Sequence, residues 1–171
     1  MPNKKPFLST HRTYAHDRSS TYVRNGSKFA IQYGSGPVSG VYSRDTLRVG
    51  DVEVKSYLFA EVDDTSGLGV GYRLGKFDGI LGLAWPGISV DGVPTPLQAM
   101  VRSLDAPVFA FSLGDEKAGE LVLGGVDSTK YTGSFNYVPL QSKTCLSPPM
   151  PPFLWACVGA CLKACPLSIW T

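Results

Sequence analysis

Between positions 28 and 33 apolar and polar side chains alternate. Phe29, Ile31 and Tyr33 fall on one face and Lys28, Ala30 and Gln32 on the other, the period of a half-buried strand. Gly34-Ser35-Gly36-Pro37 interrupts, and positions 38–45 resume an extended pattern, so 34–37 reads as a hairpin tip whose glycines can take positive φ without steric cost. After Val49-Gly50-Asp51-Val52, Val52 and Val54 alternate with Glu53 and Lys55, and Tyr57, Phe59 and Glu61 alternate with Leu58, Ala60 and Val62. Positions 63–76 carry Gly67, Gly69, Gly71 and Gly75 and predict a loop; no Gly-x-Gly-x-x-Gly opens a helix there, so it is no phosphate cradle. The nearly continuous apolar run 77–85 predicts a fully buried strand. One helix is expected, with Thr95 as cap, Pro96 at its first position, Gln98 closing a capping box, and Leu97, Met100, Val101 and Leu104 at i, i+3, i+4 and i+7; it should end before Pro107. Positions 108–113 and 120–123 predict a hairpin around a polar loop, and 133–140 a last strand.

Beyond Leu140 the periodicity stops. Ser147-Pro148-Pro149-Met150-Pro151-Pro152 cannot extend a sheet, and positions 153–171 have neither polar face nor turn logic. The pattern thus divides into residues 1–140, an all-β unit with one short helix, and residues 141–171, a Pro/Cys-rich tail.

Composition agrees with an ordered, turn-rich chain. Of 171 residues 43% are apolar, 18% charged and 11% aromatic, which argues against disorder. Glycine and proline together reach 32 residues, well above average usage of about 12%, and no repeat consumes them. The longest stretch free of charge and proline, 153–162, is too short for a membrane span of roughly 20 residues. Positions 1–28 carry a net charge of +5 and the remainder −3, but the basic residues are scattered, so no nucleic-acid surface is expected. The first residues lack the apolar core and cleavage site of a secretory leader.

Three stretches together resemble the pepsin-like aspartic endopeptidases, the cathepsin D, pepsin and plasmepsin group. The first is Ser19-Ser20-Thr21-Tyr22 with Phe29-Ala30-Ile31-Gln32-Tyr33-Gly34-Ser35-Gly36, Gly40 and Asp45-Thr46-Leu47-Arg48-Val49-Gly50. The second is Phe77-Asp78-Gly79-Ile80-Leu81-Gly82-Leu83-Ala84-Trp85. The third is Gly119-Glu120-Leu121-Val122-Leu123-Gly124-Gly125-Val126-Asp127, continuing into Tyr131-Thr132-Gly133 and Tyr137-Val138-Pro139-Leu140. In order and spacing they cover about residues 11–140. The resemblance implies a pepsin-like acid protease fold, here a single incomplete N-terminal lobe of a two-lobed architecture. It also implies that the hairpin near 29–45 is a flap closing over a bound peptide, with Tyr33 as its tyrosine and Gly34, Ser35 and Gly36 at its tip, and that Ile80 borders the substrate cleft.

The chemistry of that family needs two aspartates. Like charges held close cannot both ionise, so one carboxyl stays protonated while the other activates water against the peptide carbonyl, and aspartic proteases are the type case of this coupling. Each lies in an Asp-Thr-Gly or Asp-Ser-Gly triplet, and this chain contains neither triplet. Asp64-Thr65-Ser66-Gly67 has one residue too many and falls in a loop that varies in the family; Asp78 belongs to a structural motif and Asp127 to a turn. None of the three is read as catalytic, and no catalytic residue is assigned. The first triplet would precede His11 and the second would come after Leu140. The expectation is a fragment of an aspartic endopeptidase, inactive alone, lacking its C-terminal lobe and requiring no cofactor. Its partners would be peptide or protein substrates, and the family implies a secretory, lysosomal or vacuolar location.

Two other readings compete. One is a non-catalytic module that binds peptides with the flap half of a cleft. The other rests on the tail, where Cys157, Cys161 and Cys165 recur every four residues and Cys145 could add a fourth thiolate, as in a metal or redox protein. That spacing is not the Cys-x-x-Cys of structural zinc, no metal site is assigned, and a disulfide pair or a mis-spliced or frame-shifted end are the other accounts of the tail. His11 and His16 are expected on the surface.

Overall fold

The computed structural model describes residues 11–113 and 118–137. Three long antiparallel strands, β1 (Val23–Tyr33), β2 (Gly36–Val49) and β3 (Val52–Asp64), form a sheet in the order β1-β2-β3. The two-residue turn Gly34-Ser35 joins β1 to β2, and Tyr33 pairs with Gly36, which is the expected hairpin. Of its tip glycines Gly36 alone takes a positive φ, at 148°. The first strand starts earlier than the alternation predicts. Arg24 pairs with Ser43 and Lys28 with Val41, so residues 25–27 bulge out opposite Tyr42, and the Asn25 side-chain oxygen accepts the Ser27 N–H at 3.1 Å.

A second bulge lies in β3. Leu47 pairs with Val54 but Asp45 with Tyr57, so Lys55 and Ser56 oppose Thr46 alone, the two-against-one count of a bulge, and Ser56 takes φ 54°.

The glycine-rich segment is not simply a loop. The end of β3 reaches Asp64; a 3-10 turn (Ser66–Leu68) and a short helix, α1 (Gly69–Leu74), come next. Helix propensity is poor here, and Tyr72 supplies packing instead: its ring stacks on His11 with centroids 4.1 Å apart and meets Phe77 edge-on at 5.4 Å. His11 is consequently not a surface residue, its side chain being 7% exposed; His16 is exposed as expected.

Segment 77–85 corrects a second expectation. Leu81 and Leu83 are buried with Val38, Tyr42 and Met100 in the core, yet the segment joins neither sheet. Its alternation reflects an extended chain laid against the sheet. Side-chain burial and strand pairing are separate requirements, and this segment meets the first without the second.

The second helix, α2 (Pro96–Met100), forms where the sequence places it. Thr95 Oγ1 accepts the Gln98 N–H at 3.4 Å and Gln98 Oε1 accepts the Thr95 N–H at 3.0 Å, completing the capping box. The chain then tightens into a 3-10 turn (Val101–Ser103), which rotates Val101 outward although the α-helical period would bury it. The expected hairpin comes after it as β4 (Phe109–Ser112) and β5 (Glu120–Leu123), with Phe109 opposite Leu123. Of the last predicted strand, residues 133–137 belong to no strand and 138–140 lie outside the described residues, as do all four cysteines. The architecture is all-β with two short helices, and among the described residues no helix is long and apolar enough to cross a membrane.

Candidate functional site

The inner face of the hairpin carries Phe29, Ile31 and Tyr33, the three side chains that alternation assigns to one face. Opposite them segment 77–85 brings Ile80 and Trp85, and together they line an apolar cleft of about 450 Å³ floored by Tyr42 and Tyr57. Tyr33 and Ile80, nominated from separate motifs 47 positions apart, thus open into one cavity. Gly34 and Ser35 are exposed at the tip beyond it, and Gly36 is half-buried behind.

The tyrosine hydroxyls of the cleft stay protonated. Burial holds Tyr33 above the ordinary phenol value. Burial likewise pushes Tyr57 up to about 12, and its hydroxyl donates to the Pro94 carbonyl at 3.0 Å. Tyr42 is pushed up to about 12 by burial first and by the Asp91 carboxylate second, and its hydroxyl lies 3.4 Å from the Val90 carbonyl. The walls can offer apolar area and hydroxyl donors, but of the groups just described none can move a proton at neutral or acid pH.

One carboxylate does reach the cleft wall. Asp45 is buried, accepts hydrogen bonds from the Thr21 and Tyr14 hydroxyls and accepts the Thr46 N–H at 2.7 Å. Hydrogen bonds from Ser19, Thr21 and Tyr14, in that order, hold its carboxyl well below the usual carboxylate range despite burial. Its acceptor capacity is spent within the fold, so it reads as an anchor for the segment preceding β1. Sequence reasoning placed Asp45 only inside a motif; its partners lie 24 and 31 positions away, and no local signal marks them.

The near-miss aspartates have local duties. Asp64 accepts the Ser66 N–H at 2.9 Å and is held low by that partner. Asp127 caps the 3-10 turn Ser128–Lys130 through the Thr129 N–H at 2.9 Å. Asp78 accepts the Arg12 N–H at 2.8 Å and lies 3.6 Å from His11 Nδ1. Among the described residues no group of three or more His, Cys, Asp or Glu is arranged to hold a metal.

Comparison with known proteins identifies the family. The family model for eukaryotic aspartyl protease matches residues 3–153. The chain belongs to that family. Cathepsin D of Clupea harengus is 48% identical over 136 residues, covering 76% of this chain and 34% of the relative. A probable vacuolar protease A of Arthroderma benhamiae is 44% identical over 139 residues, covering 78% and 34%. Cathepsin D of Dictyostelium discoideum is 45% identical over 154 residues, covering 84% and 40%. This aspartyl protease chain therefore spans about a third of the length of the curated relatives it matches.

Proposed function

We propose that the described residues form the flap-bearing side of a peptide cleft, in which the hairpin centred on Gly34, Ser35 and Gly36 closes over an extended peptide and Tyr33 and Ile80 contact it. The observation that carries this reading is the convergence of Tyr33 and Ile80 on one apolar cavity beneath a two-residue turn. A tyrosine suits the position because its ring adds apolar contact while its protonated hydroxyl can donate a hydrogen bond.

In a molecule that supplies both catalytic aspartates, this side would hold the substrate while water attacks the scissile carbonyl, making the whole an aspartic endopeptidase with a second lobe as its partner. This chain has no Asp-Thr-Gly or Asp-Ser-Gly triplet, so it binds peptide without hydrolysing it. Relatives named cathepsin D and vacuolar protease A support a lysosomal or vacuolar setting. The lobe-like part is placed at 1–140 and the Pro/Cys-rich tail at 141–171, with the family match continuing to residue 153.

The test uses the 171-residue chain and a fluorescently labelled apolar octapeptide. Saturable binding without cleavage, weakened about tenfold or more by Tyr33→Ala as expected for truncating a contact aromatic, supports the reading. Pepstatin-sensitive hydrolysis, or affinity indifferent to Tyr33 and Ile80, overturns it.

A further inference from the structure

The turn that carries the hairpin tip does not stand free of the segment after β3. A Cβ built on Gly67 would lie 2.0 Å from the Pro37 carbonyl oxygen and 2.5 Å from its nitrogen, and one built on Gly36 would lie 2.6 Å from the Gly67 carbonyl oxygen. Two stretches of main chain therefore meet with no side chain between them, an approach that only glycine on both sides permits. Gly36 sits immediately after the turn and at φ 148°, so the contact grips the hairpin where its strands emerge.

The gripping segment is held on either side and braced within. Asp64 accepts the Ser66 N–H at 2.9 Å, the Thr65 carbonyl accepts the Leu68 N–H at 2.9 Å, and Tyr72 at the far end of α1 packs between His11 and Phe77. Three residues beyond Phe77 the chain reaches Ile80 on the cleft wall. A continuous set of packed groups thus runs from the hairpin tip, through residues 65–74, to the opposite side of the same cleft.

We propose that residues 65–74 act as a latch on the hairpin: the Gly67 contact with Gly36 and Pro37 sets how far the tip stands over the cleft, and the Tyr72 packing sets where the latch sits. Gly67 and Tyr72 are positioning residues that need not touch peptide. The inference deepens the flap reading and rests on it for its functional meaning, but the latch is measured without peptide, so it can fail or hold independently of that reading.

Amide hydrogen exchange on the full chain is the test. In the unaltered protein the amides of Gly36 and Val38 should open together with those of Gly67 and Leu68, with the same dependence on denaturant, because neither side can leave without the other. Gly67→Ala places a methyl group against backbone that cannot swing aside, and should accelerate exchange at Gly36 and Val38 about tenfold or more while amides around Met100 keep their protection. Tyr72→Ala adds no bulk at the contact and frees the far anchor; it should accelerate the same tip amides to a smaller extent. The proposal fails if residues 67–68 open at denaturant concentrations where the tip stays protected in the unaltered chain. It also fails if tip exchange is unmoved in either folded variant, or if acceleration is spread evenly over the sheet.

Discussion

Gly34 and Gly40 lie six positions apart in one hairpin and meet different surroundings. A Cβ on Gly34 would find nothing within 4 Å, whereas one on Gly40 would lie 2.1 Å from the Glu61 carbonyl oxygen and 2.9 Å from Val62 Cα, where the register of β2 against β3 shifts. Gly34→Ala should change stability by no more than about 0.5 kcal/mol, and Gly40→Ala should cost about 1–3 kcal/mol as overpacking between paired strands. Denaturant midpoints of the two variants read the difference, and equal midpoints would discount the close approach. Tyr33 was legible at this scale because its face follows from alternation. The demand at Gly40 was not, since the neighbour that creates it lies 21 positions further on, and the sequence around Gly40 reads as strand.

Elements formed where the sequence carried a complete local instruction. Helix α2 has its cap, its proline and its reciprocal glutamine within four consecutive positions, 95–98, and nothing distant is required to start it. Thr95→Ala should cost about 1 kcal/mol through loss of the cap. Met100→Ala should cost about 2–5 kcal/mol, since the side chain is 0% exposed and leaves a cavity. Thermal or chemical denaturation of the two variants measures both, and a smaller loss at Met100 than at Thr95 would contradict the core assignment. The bulge in β3 was also written locally: apolar positions run 52 and 54, then 57 and 59, a slip of one step at the position where Ser56 takes φ 54°. By contrast 77–85 shows burial without pairing, because its period reports contact with the sheet face and cannot report whether a neighbouring edge exists. Helix α1 was hidden for the opposite reason: its glycines suggest a loop, and the rings that hold it come from His11 and Phe77.

At the scale of the molecule, the segment preceding β1 is tied down by carboxylates from three separate parts of the chain. Asp78 receives the Arg12 N–H and lies beside His11, Glu61 lies 2.8 Å from His16 Nδ1 while accepting the Ser43 hydroxyl at 2.8 Å, and Asp45 gathers Ser19, Thr21 and Tyr14. Asp45 gives this arrangement a pH dependence. Its folded carboxyl titrates below the usual carboxylate range, so the unfolded chain binds more protons as pH drops past about 4. The stabilisation is fully present above that value and is lost progressively as pH falls through the folded one. At about pH 5, where an exposed carboxyl is also ionised, the anchor stays intact, which suits the acidic compartment proposed for the chain. Asp45→Asn removes the charge and its titration together. The variant should therefore melt several degrees below the unaltered chain at pH 5 and pH 7, and the gap should narrow steadily between pH 4 and pH 2. Proteolysis within residues 11–22 should take the same course, with cleavage of the unaltered chain rising on acidification toward that of the variant. A gap in melting temperature that stays constant from pH 7 to pH 2 would mean that Asp45 acts through packing alone and that its ionisation does not hold the segment in place.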